Sequence, residues 1–214
     1  IKQPSPDGLA QAYILAEKFL NGSPSAMILG DNFFYGGGFK NMLGKAMQKN
    51  IGGTAFGYRV SDPKRYGVVN YDMHGKVQDI EEKPKHPKSD VAVTGLYFLD
   101  NTASEKAKRL KLSKRGEFEI TSLLKLYLRE GQLDVKRMGR GYAWLDTGTF
   151  ESMIDAGNFV RTLQARQGLQ VGCPEEIAFE NKWISKGNLL AAGEKYGKND
   201  YGKYLIKLAK NSGH

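Results

Sequence analysis

The sequence predicts an α/β fold, a mixed sheet flanked by helices and followed by a helical tail. Three observations carry that expectation. Short apolar runs alternate with amphipathic segments of helical period up to about residue 167. Two β-rich runs flank Asp72-Met73-His74-Gly75, as in a hairpin. Beyond Gly168 the strand pattern stops and only helical patterns remain.

Taken in order, residues 1–3 read as the end of a strand whose partners lie upstream, and Pro4 to Gly8 as a turn. Asp7 is placed to cap a helix over residues 9–20. The run 25–30 suits a buried parallel strand. A helix over 39–49 and a strand over 54–60 follow, then the hairpin 68–71/76–80 and a strand over 91–99 interrupted by Gly95. Helices are expected at 103–110 and 121–130, strands at 133–138 and 142–145, and a long helix at 149–167. The tail should hold helices at 175–180, 185–192 and 201–210. Two regions result: a partial α/β domain over 1–167, incomplete at its N-terminus, and a helical tail over 168–214.

Composition narrows the function. A formal net charge of +9 asks for anionic partners, yet no zinc finger, basic zipper or recognition-helix pattern appears, which argues against nucleic acid. No apolar run is long enough for a membrane span, and no secretory signal opens the chain. The one cysteine, Cys173, forms no disulfide or metal cluster, so the cytoplasm is the expected compartment. His74, His86 and His214 are dispersed, which speaks against zinc.

Ligands of open α/β sheets bind beyond the carboxyl ends of strands. Asp31 and Asp146 each follow an apolar run and fit that position. Two carboxylates and substrate phosphates are what Mg²⁺ requires, although taken singly Gly-Asp-Asn and Leu-Asp-Thr-Gly are ordinary turn sequences. Lys83 in Glu81-Glu82-Lys83-Pro84 is a candidate phosphate contact or an exposed turn charge. Gly67 and Gly95 mark either close backbone approach to a ligand or plain strand irregularities. Gly36-Gly37-Gly38 is not followed by the Lys-Ser/Thr of a phosphate-binding loop, and no nucleophile elbow exists.

Longer segments carry a resemblance. Gln3-Pro-Ser-Pro-Asp-Gly-Leu-Ala-Gln-Ala12, Leu29-Gly-Asp-Asn-Phe33, Arg65-Tyr-Gly-Val-Val69, Ala92-Val-Thr-Gly-Leu-Tyr-Phe98, Arg115-Gly-Glu-Phe-Glu-Ile-Thr121, Gly139-Arg-Gly-Tyr-Ala-Trp-Leu-Asp-Thr-Gly148 and Cys173-Pro-Glu-Glu-Ile-Ala178 resemble the glucose-1-phosphate thymidylyltransferases, a branch of the sugar nucleotidyltransferases. The resemblance spans nearly the whole chain. It implies a Rossmann-like nucleotide-diphospho-sugar transferase fold and a homotetramer. The implied reaction joins dTTP and glucose 1-phosphate into dTDP-glucose and pyrophosphate, feeding rhamnose and deoxysugar synthesis. It implies Gln3, Pro6 and Gly8 at the thymine base, and Asp31 and Asp146 on Mg²⁺ beside the nucleotide. Lys83 falls on the sugar phosphate, with Tyr66, Gly67, Glu82, Val93, Tyr97, Arg115 and Trp144 around the sugar and its phosphate. The family's glycine-rich phosphate loop does not precede Ile1, so feeble activity of these residues alone is expected. The alternatives are a nucleotide-sugar-binding remnant and a uridylyltransferase acting on UTP.

Overall fold

The computed structural model describes residues 1–211, and His214 lies outside that range. The chain divides into two compact units, residues 1–147 and Gly148 onward. The division falls ahead of the long helix that the sequence placed in the first region. The chain breaks at Gly148 because Thr149 starts a new, capped helix: its hydroxyl accepts from Ser152 N–H while the Ser152 hydroxyl answers Thr149 N–H.

The first unit is built on a six-stranded sheet in the order β5-β4-β6-β3-β7, with β1 also against β6. Its strands are β1 Ser25–Ile28, β3 Gly53–Arg59, β4 Gly67–Tyr71, β5 Val77–Glu82, β6 Val91–Leu99 and β7 Leu133–Met138. The expected hairpin is present, with Val69 opposite Ile80. β7 runs parallel to β3, whereas β6 is antiparallel to β3, so the sheet is mixed. A separate ribbon pairs β2 Asn32–Gly36 with β8 Tyr142–Asp146.

Several expectations needed correction, and residues 1–3 form no strand. The strand at 25–30 is antiparallel to β6, not parallel, and only alternate residues are packed, leaving Ile28 59% exposed. The helix over 9–20 is two pieces, α1 Gln11–Leu15 and α2 Glu17–Leu20, because Ala16 leaves helical geometry at ψ 0°. Asp7 caps neither: its carboxylate takes the Ser5 hydroxyl and the Gln11 amide. Strand β2 was not foreseen, since Phe33-Phe34-Tyr35 shows no period-two alternation and all five of its residues are half-buried.

Helices cover both sheet faces: α3 Phe39–Met47, α4 Ala103–Lys108 and α5 Ile120–Arg129. One core joins Val69, Ile80, Val93, Tyr97 and Leu99 to Leu123, Leu124 and Tyr127 of α5. The other gathers Phe56, Ala92, Leu96, Met138 and Trp144 with Phe39 and Met42 of α3. A buried polar knot braces the first: Asp100 accepts from Gly52 N–H at 2.6 Å, the Tyr127 hydroxyl at 2.8 Å and both donors of Thr102.

The second unit holds α6 Phe150–Gln167, α7 Pro174–Glu180, α8 Lys186–Tyr196 and α9 Asp200–Asn211. Its core is Cys173, Leu189, Leu205 and Ala209, and the Tyr201 hydroxyl hydrogen bonds both Cys173 and Glu175. Helices α8 and α9 approach closely through Gly193 and Gly202. No described helix is long and apolar enough to cross a membrane.

Candidate active site

Within the first unit, a cleft of about 210 Å³ opens where the β2–β8 ribbon meets β6 and the end of β5. Register explains how two aspartates 115 residues apart in sequence come together (146 minus 31). Asn32 pairs with Asp146 across the ribbon, so Asp31 and Asp146 occupy the same end of it. Thr147 closes that end, donating its N–H at 2.8 Å and its hydroxyl at 2.9 Å to the Asp31 carbonyl. Both aspartates line the cleft.

Asn32 ties the ribbon to the main sheet. Its Oδ1 accepts from the Trp144 indole N–H at 2.6 Å and from Gly95 N–H at 2.9 Å, while its Nδ2 donates to Asp31 at 2.8 Å. A Cβ on Gly95 would lie 2.5 Å from that Oδ1, so the glycine makes room for the Asn32 side chain rather than for a ligand, and the β3–β6 register shifts between Val93 and Tyr97, the strand irregularity that the sequence offered as one reading. Gly67 is similar, with a Cβ only 2.5 Å from the Thr121 methyl.

The walls are aromatic and charged. Trp144 packs edge-on against Tyr66 at 5.1 Å and Tyr58 at 6.1 Å. Tyr66 is hydrogen-bonded to Asp146; burial chiefly, with that carboxylate, raises its pKa against the opposing pull of Arg65. Arg65 stands 3.9 Å from Asp146 and 5.6 Å from the Tyr66 ring centre. Tyr97 is buried in the floor, which pushes its hydroxyl pKa well up.

Glu82 ends β5 and Lys83 follows it. Desolvation holds the Glu82 pKa above the ordinary carboxylate value, despite a 2.9 Å hydrogen bond from the Thr121 hydroxyl. Arg115 lies among three acids, Glu117 at 2.7 Å, Glu119 at 3.3 Å and Glu82 at 3.4 Å. Its charge is therefore largely spent on protein carboxylates. Lys83 adopts a left-handed φ of 38°, and its N–H donates to the Tyr66 carbonyl at 3.1 Å. A lysine gains nothing from that backbone region, and such conformations cost about 1–3 kcal/mol.

The cleft gathers Asp31, Tyr66, Gly67, Glu82, Lys83, Val93, Tyr97, Arg115, Trp144 and Asp146 from the sequence expectations. Gln3, Pro6 and Gly8 do not line it. The Gln3 amide donates to the Gly8 carbonyl at 3.2 Å and to Gln11 at 2.6 Å. Gly8, at φ 101°, has the Phe118 backbone where a Cβ would be, 2.6 Å away. Sequence reasoning passed over Asn32, Arg65 and Thr121, although all three stood in segments already singled out, in the same motifs as the residues chosen.

Residues 1–162 match the family described as Nucleotidyl transferase.

The chain belongs to the nucleotidyl transferase family.

Within the nucleotidyl transferases it belongs with the glucose-1-phosphate thymidylyltransferases. It is 56% identical over 208 residues to the one from Xanthomonas campestris, covering 97% of this chain and 70% of the relative. The Neisseria gonorrhoeae enzyme is 52% identical over 206 residues, 96% of this chain and 72% of the relative. A crystal structure from Bacillus anthracis, assigned as a glucose-1-phosphate thymidylyltransferase and solved with a sucrose, is 38% identical with a TM-score of 0.66. That match covers 74% of this chain and 63% of the other. A UDP-glucose pyrophosphorylase complexed with UDP-glucose, at 23% identity and TM-score 0.66, shares the fold.

Proposed function

We propose that this nucleotidyl transferase joins dTTP to glucose 1-phosphate, giving dTDP-glucose and pyrophosphate, and that the cleft around Lys83 binds the sugar phosphate. The observation that supports it best is the meeting of Lys83, Glu82, Asp31 and Asp146 in one cleft of a chain related to thymidylyltransferases.

In this reading an oxygen of the sugar phosphate attacks the α-phosphorus of dTTP; one O–P bond forms as the bond to the leaving pyrophosphate breaks. Both reactants are polyanions, so their repulsion must be offset before they approach. The Lys83 ammonium neutralises and orients the sugar phosphate, and fixing the reactants in line supplies much of the remaining acceleration. Glu82, with Thr121 on one oxygen, accepts from sugar hydroxyls; Gly67, whose missing side chain leaves room for the Thr121 methyl, shapes the wall with Val93, Tyr66, Tyr97 and Trp144. The base falls outside this cleft, at Gln3, Pro6 and Gly8, where the family resemblance puts it.

Asp31 and Asp146 are the residues that would hold Mg²⁺. Two hard carboxylates on one ribbon end suit an ion that takes few protein ligands. No group of three or more such ligands exists among the described residues. Bound there, the ion would offset charge on the nucleotide phosphates.

The test is pyrophosphate release with dTTP and glucose 1-phosphate, run against UTP in parallel. Lys83→Ala should lower turnover by about 10²–10³-fold with the far-ultraviolet spectrum unchanged. Unaltered kinetics would remove Lys83 from the reaction, and a preference for UTP would replace the thymidylyl assignment.

A further inference from the structure

A larger depression, of about 720 Å³, lies in the same unit but away from the candidate active site. Tyr71, Val77, Leu128, Leu133 and Val135 give it an apolar lining. Charged residues of both signs surround this lining, and they are not equally committed. Asp72 spends its carboxylate on the backbone N–H groups of His74 and Lys76, each at 2.9 Å. Asp79 holds Lys125 at 3.1 Å, and Asp134 holds Lys136 at 2.7 Å. No carboxylate among the described residues pairs with Lys76, Arg129 or Arg137. The Arg137 guanidinium lies 4.9 Å from the centre of the Tyr71 ring, on the cleft wall. The Tyr71 hydroxyl is buried and has no hydrogen-bond partner among the described residues.

We propose that this depression is a second ligand site, for a small organic phosphate with an aromatic or apolar body. A phosphate dianion is matched by two guanidinium groups and an ammonium that no protein acid neutralises. The apolar lining takes the remainder of the ligand, and the volume falls in the usual range for small-molecule sites.

The location has a mechanical consequence. Strand β4 runs from Gly67 to Tyr71, β5 from Val77 to Glu82, and α5 from Ile120 to Arg129. Each has one end in the active-site cleft and the other in the depression. A ligand clamped by Arg129 and seated on Tyr71 therefore acts on the elements that carry Gly67, Glu82 and Thr121.

The whole chain, isotopically labelled, would be titrated by NMR with phenyl phosphate, with inorganic phosphate and with phenol. Phenyl phosphate should move amide signals of residues 71–77 and 125–137 and bind more tightly than either half-probe. Combining Arg129→Ala with Arg137→Ala, both exposed positions, should weaken it by about tenfold or more. Equal affinity for inorganic phosphate would overturn the apolar part of the site. Shifts confined to residues around Lys83, or insensitivity to the two arginine changes, would overturn the site itself.

Discussion

Asp100 shows how one side chain's environment sets a measurable property. Burial alone would raise its pKa, but hydrogen bonds from Thr102, Gly52 N–H and Tyr127 together outweigh that and hold it below the ordinary value. A depressed folded-state pKa means stability that is present above the unfolded pKa and lost as pH falls through the folded one. Asp100→Asn should therefore cost about 1–3 kcal/mol at neutral pH, with the gap to the parent narrowing towards about pH 3 in denaturant titrations. A constant gap across that range would mean the carboxylate charge is irrelevant. None of this was legible in the sequence, where Asp100 ends a strand like many acids at turns; only the fold delivers Gly52 and Tyr127 to it. Lys83 and Asp146 were legible because short motifs surround them. Asn32 was hidden beside Asp31, its three partners being scattered over 112 positions of chain.

At the scale of elements, the sequence was informative wherever period and turn chemistry agreed. The hairpin around Asp72 to Gly75, strand β7 and helix α6 fall within a residue or two of expectation. It failed where tertiary pairing decides: β1 looks buried by composition, yet its partner and direction come from β6, and β2 exists only because β8 lies beside it. The α8–α9 pair offers a test of element packing. A Cβ on Gly193 would stand 2.8 Å from Ile206 and 3.1 Å from the Gly202 carbonyl, whereas one on Gly187 meets only the Ser185 hydroxyl at 3.7 Å. Gly193→Ala should destabilise by about 1–3 kcal/mol, while Gly187→Ala in the same helix should gain about 0.5–1 kcal/mol. Equal effects in thermal unfolding would mean that helix propensity alone governs both sites.

For the molecule as a whole, the α/β class and the helical tail were legible from alternation and its disappearance after residue 168. The unit boundary was not, because α6 has a balanced composition and reads equally well as the last helix of the first region. Placing the division at Gly148 puts every residue of the active-site cleft in the first unit, from Leu9 to Asp146. The second unit has its own core around Leu189 and Leu205.

The left-handed backbone at Lys83 sets thermal endurance against reactivity. Glycine would sit there without penalty, so Lys83→Gly should melt a few degrees higher than Lys83→Ala while both are equally inert as catalysts. Under the proposed role, a chain tuned for heat tolerance alone would discard the amine that this strained backbone holds in the cleft.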